Sequence, residues 1–253
     1  MTTAQPLQKS GSAKMRPRAR IISLIGEELI SDEAVAVVEL VKNAYDADVK
    51  KVVVRFEGSD PMQPETLVIA DDGLGMTLDT VLNGWFEPGT ITKRKHARSP
   101  SGRLYQGAKG VGRFAAARLA EALFLETRAE NEPDGVTVLL EWGRFDENSY
   151  LDEIGIEYEV RPLPELKHGT TLTLLKLRRK EDKSLLVNFE TLHNRLSRLI
   201  SPFGDVEDFC IELIIPGFPQ LSGEISAHEL IANPPYRIEG CSMRTVHSRE
   251  IYR

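Results

Sequence analysis

Residues 32–56 place an amphipathic helix directly before a short strand, which restricts the chain to folds that pack helices on a sheet. The segment reads DEAVAVVELVKNAYDADVKKVVVRF. Asp32 can cap a helix whose apolar residues recur from 34 to 45, and the β-branched run at 52–56 is typical of a strand. We therefore expect a helix of about three turns followed by a sheet strand.

Other segments share these periodicities. Further strands are predicted near 66–70, 123–128, 136–142, 156–161, 170–177 and 209–215, and helices at 77–84, 111–123 and 185–200. Turn-like segments such as ENEPDG at 130–135 join consecutive strands and favour antiparallel pairing. The expected fold class is an α+β two-layer sandwich, with a mixed, mostly antiparallel sheet and helices on one face.

The chain has 253 residues, which is room for one large domain or for one domain and part of another. Residues 1–20 are polar, basic and poor in large apolar side chains, so we expect a disordered arm. Residues 21–180 are expected to form the first domain. Residues 184–253 are expected to form a linker helix and the beginning of a second α/β region.

Composition excludes several classes of protein. A formal net charge of −6 gives no general attraction to nucleic acid or anionic lipid. No run approaches the roughly 18 apolar residues that span a bilayer, and the N-terminus lacks the apolar core of a signal peptide. The two cysteines do not form a CxxC pair. We expect a soluble, cytoplasmic protein that does not associate with membranes.

The helix carries a polar stripe in which Glu39, Asn43 and Asp46 lie within about 60° of one another on a helical wheel. Such a stripe can simply be the solvated side of an amphipathic helix. It also suits nucleotide chemistry, because a carboxylate can act as a general base and an amide oxygen one turn later can ligate Mg²⁺. Asp46 could orient these groups.

The second strand runs into DDGLGM at 71–76, which puts a carboxylate and two glycines at a strand end. The glycines would let the backbone approach a flat ligand, although an Asp-Gly pair is also common in ordinary turns. A dinucleotide-binding turn is excluded because Leu78 stands where GxGxxG requires its third glycine.

A long segment at 87–110 has no helical or strand periodicity, which is typical of a functional lid or of disorder. It ends in GAKGVGRFAAARL, a glycine-rich helix start whose amides suit a phosphate chain, although the spacing is not that of a P-loop. The glycines and the cations beside them are Gly107, Gly110, Gly112, Lys109 and Arg113.

In this order, four segments resemble the motifs of the GHKL ATPase superfamily, which includes DNA gyrase B, the ninety-kilodalton heat-shock chaperones, MutL, MORC proteins and sensor histidine kinases. They are E-x-x-x-N-x-x-D at 39–46, D-x-G-x-G at 71–75, G-x-x-G-x-G at 107–112 and Gly-Thr at 169–170. The resemblance covers about residues 21–177. It implies the Bergerat ATP-binding fold.

The resemblance also implies roles for individual residues. Glu39 is expected to be the catalytic base and Asn43 the Mg²⁺ ligand, with Asp46 as a supporting acid. Asp71 is expected to accept a hydrogen bond from the adenine amino group, and the Thr170 hydroxyl to support it directly or through water. The other expected ATP contacts are Gly73, Gly75, Met76, Gly107, Lys109, Gly110, Val111, Gly112 and Arg113.

The wording of ELVKNAYDAD and GAKGVGRFA is most similar to bacterial MORC-like, MutL-like and heat-shock-like proteins. It implies Mg²⁺-dependent ATP binding, slow hydrolysis, closure of a lid at 84–110 and nucleotide-dependent homodimerisation of a conformational clamp. Anti-phage defence is among the roles proposed for such proteins. A protein client is an expected partner, and the basic run at 93–98 could instead contact nucleic acid.

Two alternatives remain beside the clamp. One is an ATP-sensing module with negligible hydrolysis, because clamp ATPases take a γ-phosphate lysine from the following domain and no lysine follows Lys183. We expect that lysine to lie beyond Arg253 in a longer protein. The other is a histidine-kinase-type phosphotransferase, which is less favoured because such kinases usually carry a basic residue where Asp46 stands.

Overall fold

A single mixed sheet forms one layer of the molecule. The computed structural model describes residues 14–28, 30–87, 98–99, 101–103, 105–106, 112–200 and 209–226. Within them the strands are β1 Lys51–Glu57, β2 Thr66–Asp71, β3 Ala120–Arg128, β4 Gly135–Glu141, β5 Tyr158–Arg161, β6 Gly169–Leu177, β7 Cys210–Ile214 and β8 Gly223–Glu224. Their order is β5-β4-β3-β6-β2-β1-β7-β8.

The pairing confirms the predicted sheet. Every neighbouring pair is antiparallel except β1 and β7, which run parallel. The helices are α1 Ile21–Glu28, α2 Glu33–Tyr45, α3 Leu78–Thr80 with a π-helix at Val81–Trp85, a 3-10 turn at Gly112–Ala115 that runs into α4 Ala116–Leu119, and α5 Phe189–Ser197. Among these described helices, none has the length and apolar character needed to cross a membrane.

The core lies between one face of the sheet and the helices. Val52, Val54 and Phe56 alternate along β1 and are fully buried, as the two-residue period of a strand requires. The Phe56 ring packs edge-on against Phe189 of α5 at a centroid distance of 4.9 Å. Buried residues of α2, such as Val41, belong to the same apolar cluster. The two-layer α+β sandwich predicted from the sequence is confirmed.

The helix predicted at 111–123 ends at Leu119, and a strand begins at Ala120. The alanine-rich sequence favours a helix by intrinsic propensity. The strand forms nevertheless, because β3 pairs on both sides, with β4 and β6, and buries Leu123 and Leu125 completely. Tertiary pairing and burial therefore override local preference at this point.

Residues 14–20, part of the arm expected to be disordered, make specific contacts in the described structure. Ala19 is fully buried, and its amide donates to the Ser149 carbonyl at 2.9 Å. Arg16 Nη2 lies 2.9 Å from Asp152 Oδ1. Arg16 finds this acidic partner 136 positions later, which the composition of the segment cannot reveal. The rest of the arm lies outside the described residues.

The region expected to begin a second domain contributes to the first in its described part. β7 extends the sheet through its parallel pairing with β1, in which Cys210 is opposite Lys51. α5 packs on α2, and the Phe218 ring packs against Phe189 at 5.1 Å. Residues 201–208 and 227–253 of this region lie outside the described part of the chain.

Asp32 fixes the start of α2 by two separate bonds. Its Oδ1 accepts the Val35 amide at 2.9 Å, which is the expected N-cap. Its Oδ2 accepts from Arg195 Nη2 of α5 at 2.5 Å. One carboxylate thus caps the helix that carries the polar stripe and ties that helix to its neighbour.

We predict that Asp32→Ala lowers the free energy of unfolding by about 1–2 kcal/mol, because both the cap and the ion pair are lost. Asp32→Asn keeps an oxygen for the Val35 amide and should lose less than half as much. Urea unfolding of the three proteins measures this. Equal losses in the two variants would show that the cap contributes nothing.

Candidate functional site

The polar stripe of α2 lies against the end of the third motif. Glu39 and Asn43 are partly exposed, and both face Gly112. A Cβ at Gly112 would lie 3.4 Å from Asn43 Nδ2 and 3.6 Å from Glu39 Oε2. The hydrogen side chain of Gly112 therefore keeps open the space beside both groups. The structure thus brings together three residues that the sequence assigned to one site.

Glu39 uses its two carboxylate oxygens differently. Lys42 Nζ donates to Oε1 at 2.8 Å, an i,i+3 pair along α2, whereas Oε2 is the oxygen nearest Gly112. The sequence showed Lys42 beside the stripe, but a three-residue spacing alone does not tell a bonded lysine from a solvated one. Lys42 is therefore a contact of the candidate base that the sequence did not identify.

The residues beside Gly112 fit a magnesium ion bound together with phosphate. Mg²⁺ prefers hard oxygen ligands and usually takes one or two from the protein, with phosphate oxygens and water completing its shell. Asn43 Oδ1, which lies 3.7 Å from the Cβ position of Gly112, is a ligand of this type without charge. The described residues contain no cluster of three or more His, Cys, Asp or Glu side chains that could hold a metal alone.

Asp46, the last residue of the first motif, is buried at the C-terminal end of α2. Its Oδ1 accepts the backbone amide of Gln106 at 2.8 Å. Gln106 directly precedes the third motif. Asp46 thus anchors the chain just before that motif, in addition to the supporting role that the sequence suggested.

A second set of bonds anchors the neighbouring residues to the same end of α2. Asp48 Oδ1 accepts from the Ser99 hydroxyl at 2.5 Å, and the Ser101 amide donates to Asp48 Oδ2 at 3.0 Å. Burial raises the pKa of Asp48, but the bonds from Ser101 and Ser99 outweigh it and leave the pKa below its usual value. The Arg103 guanidinium donates to the Val49 carbonyl at 2.6 Å. The described residues 99–103 of the expected lid are therefore bonded to the chain that directly follows α2.

Asp71 ends β2 as a partly buried carboxylate with one oxygen engaged. Its Oδ1 accepts the amides of Gly73 at 3.0 Å and Thr170 at 3.1 Å. Burial raises its pKa to about 6, although both bonds act in the opposite direction. No donor among the described residues is bonded to Oδ2. That oxygen can accept a hydrogen bond from a ligand.

The loop that follows Asp71 is held from two sides. The Leu74 amide donates to the Ala47 carbonyl at 3.3 Å, and the Glu130 amide donates to the Leu74 carbonyl at 3.3 Å. Gly75 has φ +64°, and a Cβ there would overlap the Arg128 carbonyl. Gly75 is therefore required for the loop to pack on the end of β3, a reason distinct from the approach of a ligand.

Thr127 of β3 joins this loop to β6, and the sequence gave no indication of it. Its side chain is fully buried. Its hydroxyl donates to the Gly169 carbonyl at 3.1 Å, accepts the Met76 amide at 2.9 Å and lies 3.0 Å from the Thr170 hydroxyl. The direct support of Asp71 therefore comes from the Thr170 amide, whereas the Thr170 hydroxyl bonds to Thr127. In the sequence, a threonine within a strand is explained by its β-propensity alone, so nothing there indicates these bonds.

Arg113, one of the expected ATP contacts, bonds to the end of the π-helix in the described structure. Its guanidinium donates to the carbonyl oxygens of Gly84, at 2.7 Å, and Trp85. Burial lowers its pKa. The arginine satisfies carbonyls at the end of the π-helix. The remaining third-motif predictions lie outside the described residues: Gly107, Lys109, Gly110 and Val111.

The raised pKa of Asp71 predicts a pH-dependent stability. The folded protein binds this proton more tightly than the unfolded chain, whose ordinary pKa is 3.8. The ionised carboxylate therefore costs stability, a cost that is absent below pH 4 and complete above pH 6 to 7. Two pKa units correspond to about 3 kcal/mol at most.

Asp71→Asn keeps an oxygen for both amides and removes the titration. Its free energy of unfolding, relative to wild type, should rise by up to about 3 kcal/mol between pH 4 and pH 7. Urea unfolding at several pH values measures the difference. A difference that stays constant over this range would contradict the raised pKa.

Comparison with known proteins agrees with this geometry. The family model described as histidine kinase-, DNA gyrase B-, and HSP90-like ATPase matches residues 30–170, which is more than half of the chain. No curated protein matches the chain. The matched range contains the polar stripe of α2, Asp71 and its loop, Gly112 and Thr170. The chain therefore belongs to this GHKL-type ATPase family.

Proposed function

We propose that this domain binds Mg-ATP with the adenine at Asp71 and the phosphates near Asn43 and Gly112, and that it hydrolyses ATP slowly. The observation that carries the proposal is the state of Asp71. Two backbone amides fix its Oδ1, and Oδ2 has no donor among the described residues. A carboxylate held in this way is an acceptor of fixed position, suited to the exocyclic amino group of adenine.

The same carboxylate supports selection of adenine over guanine. With a pKa of about 6, Asp71 is mostly ionised at neutral pH and can only accept hydrogen bonds. Adenine presents an amino donor at C6, whereas guanine presents a carbonyl oxygen there. A carbonyl oxygen facing a partly buried carboxylate leaves both groups without a proton to share. A site built to bond one group rejects an analogue that lacks it strongly.

Glu39 is the residue that supports hydrolysis. Its Oε2 faces the space beside Gly112 and is able to take the proton of a water there as the water attacks the γ-phosphorus. The bond to the leaving ADP oxygen then breaks, and the products are ADP, phosphate and a proton passed to solvent. A bound Mg²⁺ supplies positive charge that neutralises the phosphate oxygens. Asn43 would hold that ion.

Lid closure and homodimerisation of a conformational clamp extend the proposal. They rest on the likeness of the motifs to MORC-like, MutL-like and heat-shock-like proteins, as do a protein client or nucleic-acid partner and a role in anti-phage defence. The anchoring of Gln106 by Asp46 supports coupling between the third motif and α2, because both ends of the contact belong to expected nucleotide-binding segments.

One contact favours a second candidate, an ATP-sensing module without appreciable hydrolysis. Lys42 Nζ is bonded to Glu39 Oε1 at 2.8 Å. The bond engages one oxygen of the carboxylate and leaves only Oε2 to accept a proton from water, which restricts Glu39 as a base. The two candidates differ in turnover and agree on ATP binding.

We predict that Glu39→Gln lowers ATP turnover by about 10²–10⁴-fold, the usual contribution of a general base, because the amide cannot take a proton. The affinity for Mg-ATP should change by less than about threefold, since the substitution keeps size and an oxygen. Phosphate release measures turnover, and calorimetry measures binding. Glu121→Gln is the matched control, since Glu121 is an exposed carboxylate on β3.

Equal turnover in wild type and Glu39→Gln would contradict the role of Glu39. Wild-type protein that binds Mg-ATP and releases no phosphate would favour the sensing module. Absence of ATP binding in wild type would contradict both candidates.

A further inference from the structure

A cavity of about 310 Å³ lies on the helical side of the sheet, apart from the candidate nucleotide site. Its walls come from α1, the π-helix, the 3-10 turn at Gly112–Ala115, β4 and the chain between β4 and β5. None of the candidate nucleotide-site residues lines it. Its volume is at the lower end of the range of small-molecule sites, roughly 300–1,000 Å³.

The cavity walls are strongly aromatic. Half of the lining residues carry rings: Trp85, Phe86, Phe114, Trp142, Phe145 and Tyr158. The others are aliphatic, and no charged side chain lines the cavity among the described residues. Aromatic walls stack on planar rings, whereas a phosphate or another ion would lose its hydration here without a partner. These walls select an uncharged, planar ligand.

One polar group in these walls lacks a partner. Trp142 is 3% exposed, and its indole Nε1 is buried without an acceptor among the described residues. A buried donor without an acceptor is unfavourable, so such groups are uncommon in folded proteins. Nε1 has no surface open to the cavity, so a ligand there contacts Trp142 through the rest of its ring and leaves this donor unpaired.

The wall is also connected to the candidate nucleotide site. Phe114 lines the cavity, and Gly112, two residues earlier, lies against Glu39 and Asn43. Arg113, between them, bonds to the carbonyl of Trp85, another wall residue. A ligand that moves Phe114 or Trp85 therefore acts on residues 112–114, and Gly112 of this segment lies against the polar stripe of α2.

We propose that this cavity is an effector site for an uncharged aromatic molecule, and that its occupancy changes the affinity for Mg-ATP. The coupling part rests on the proposed function. The site itself does not, because its walls are independent of any nucleotide.

The chain reports on this site directly, because it has two tryptophans and both line the cavity. The probe is 6-propionyl-2-dimethylaminonaphthalene, a neutral naphthalene derivative whose absorption overlaps tryptophan emission. In the absence of nucleotide, titration should give saturable energy transfer from tryptophan with one probe per chain. Absence of transfer would overturn the site, whatever the outcome with ATP.

A filling variant locates the probe. Ile156→Phe adds volume inside the cavity and should weaken probe binding at least tenfold. Leu139→Phe is the matched control, since Leu139 is 45% exposed on β4 and does not line the cavity. The thermal transition of each variant checks folding, and energy transfer in wild type does not depend on either variant. Equal affinity in wild type and a folded Ile156→Phe would overturn the assignment.

The coupling has its own test. Saturating Mg-ATP should change the probe affinity at least threefold in wild type, and the probe should change ATP affinity by the same factor. No change in either would overturn the coupling. A protein that binds the probe and not ATP would contradict the proposed function and leave the site intact.

Discussion

The partly buried carboxylate of Asp71 is the constraint on which the rest of the site depends. A carboxylate removed from water needs hydrogen-bond donors, and here they come from the amides of Gly73 and Thr170, on two different segments. The first fixes the loop after β2, and the second requires β6 to lie beside β2 in the observed register. Even so the pKa is raised to about 6, so the ionised form retains an unsatisfied preference for a donor. In the proposed function, the amino group of adenine would supply that donor at Oδ2.

Thr127 extends this constraint from the carboxylate to the sheet. Its single hydroxyl connects the loop at Met76, the start of β6 at Gly169 and the side chain of Thr170. Because β3 also pairs with β6, displacement of any of these segments breaks more than one bond. α2 is fixed in a comparable manner, by Asp32 at its start and by Asp46 and Asp48 near its end. Regular secondary structure thus holds both the Asp71 loop and the polar stripe of α2 in position.

Local patterns were sufficient to predict much of this arrangement. The N-cap at Asp32, the strand periodicity and the stripe of Glu39 and Asn43 depend on spacings of one to four residues, so they can be identified along the chain. Other features depend on distant partners. The end of the helix at Leu119, the burial of Ala19 and the bond from Met76 to Thr127 are set by pairing across the fold. The role of Arg113 also depends on distant partners, because the carbonyls to which it donates lie about 29 residues before it.

The most direct measurement of the central claim is a calorimetric titration of Mg-ATP and Mg-GTP into wild type, Asp71→Asn and Asp72→Asn. In Asp71→Asn an amide NH₂ replaces the free oxygen and opposes the adenine amino group, donor to donor. Asp72 is exposed, and its carboxylate bonds only to the amides of Lys50 and Lys51 in the described structure, so its variant is the matched control. Wild type and Asp72→Asn should bind ATP at least tenfold more tightly than GTP, and Asp71→Asn should lose most of its ATP affinity. Equal affinity of wild type for ATP and GTP, or unchanged ATP binding in Asp71→Asn, would contradict the assignment of Asp71 as the adenine acceptor.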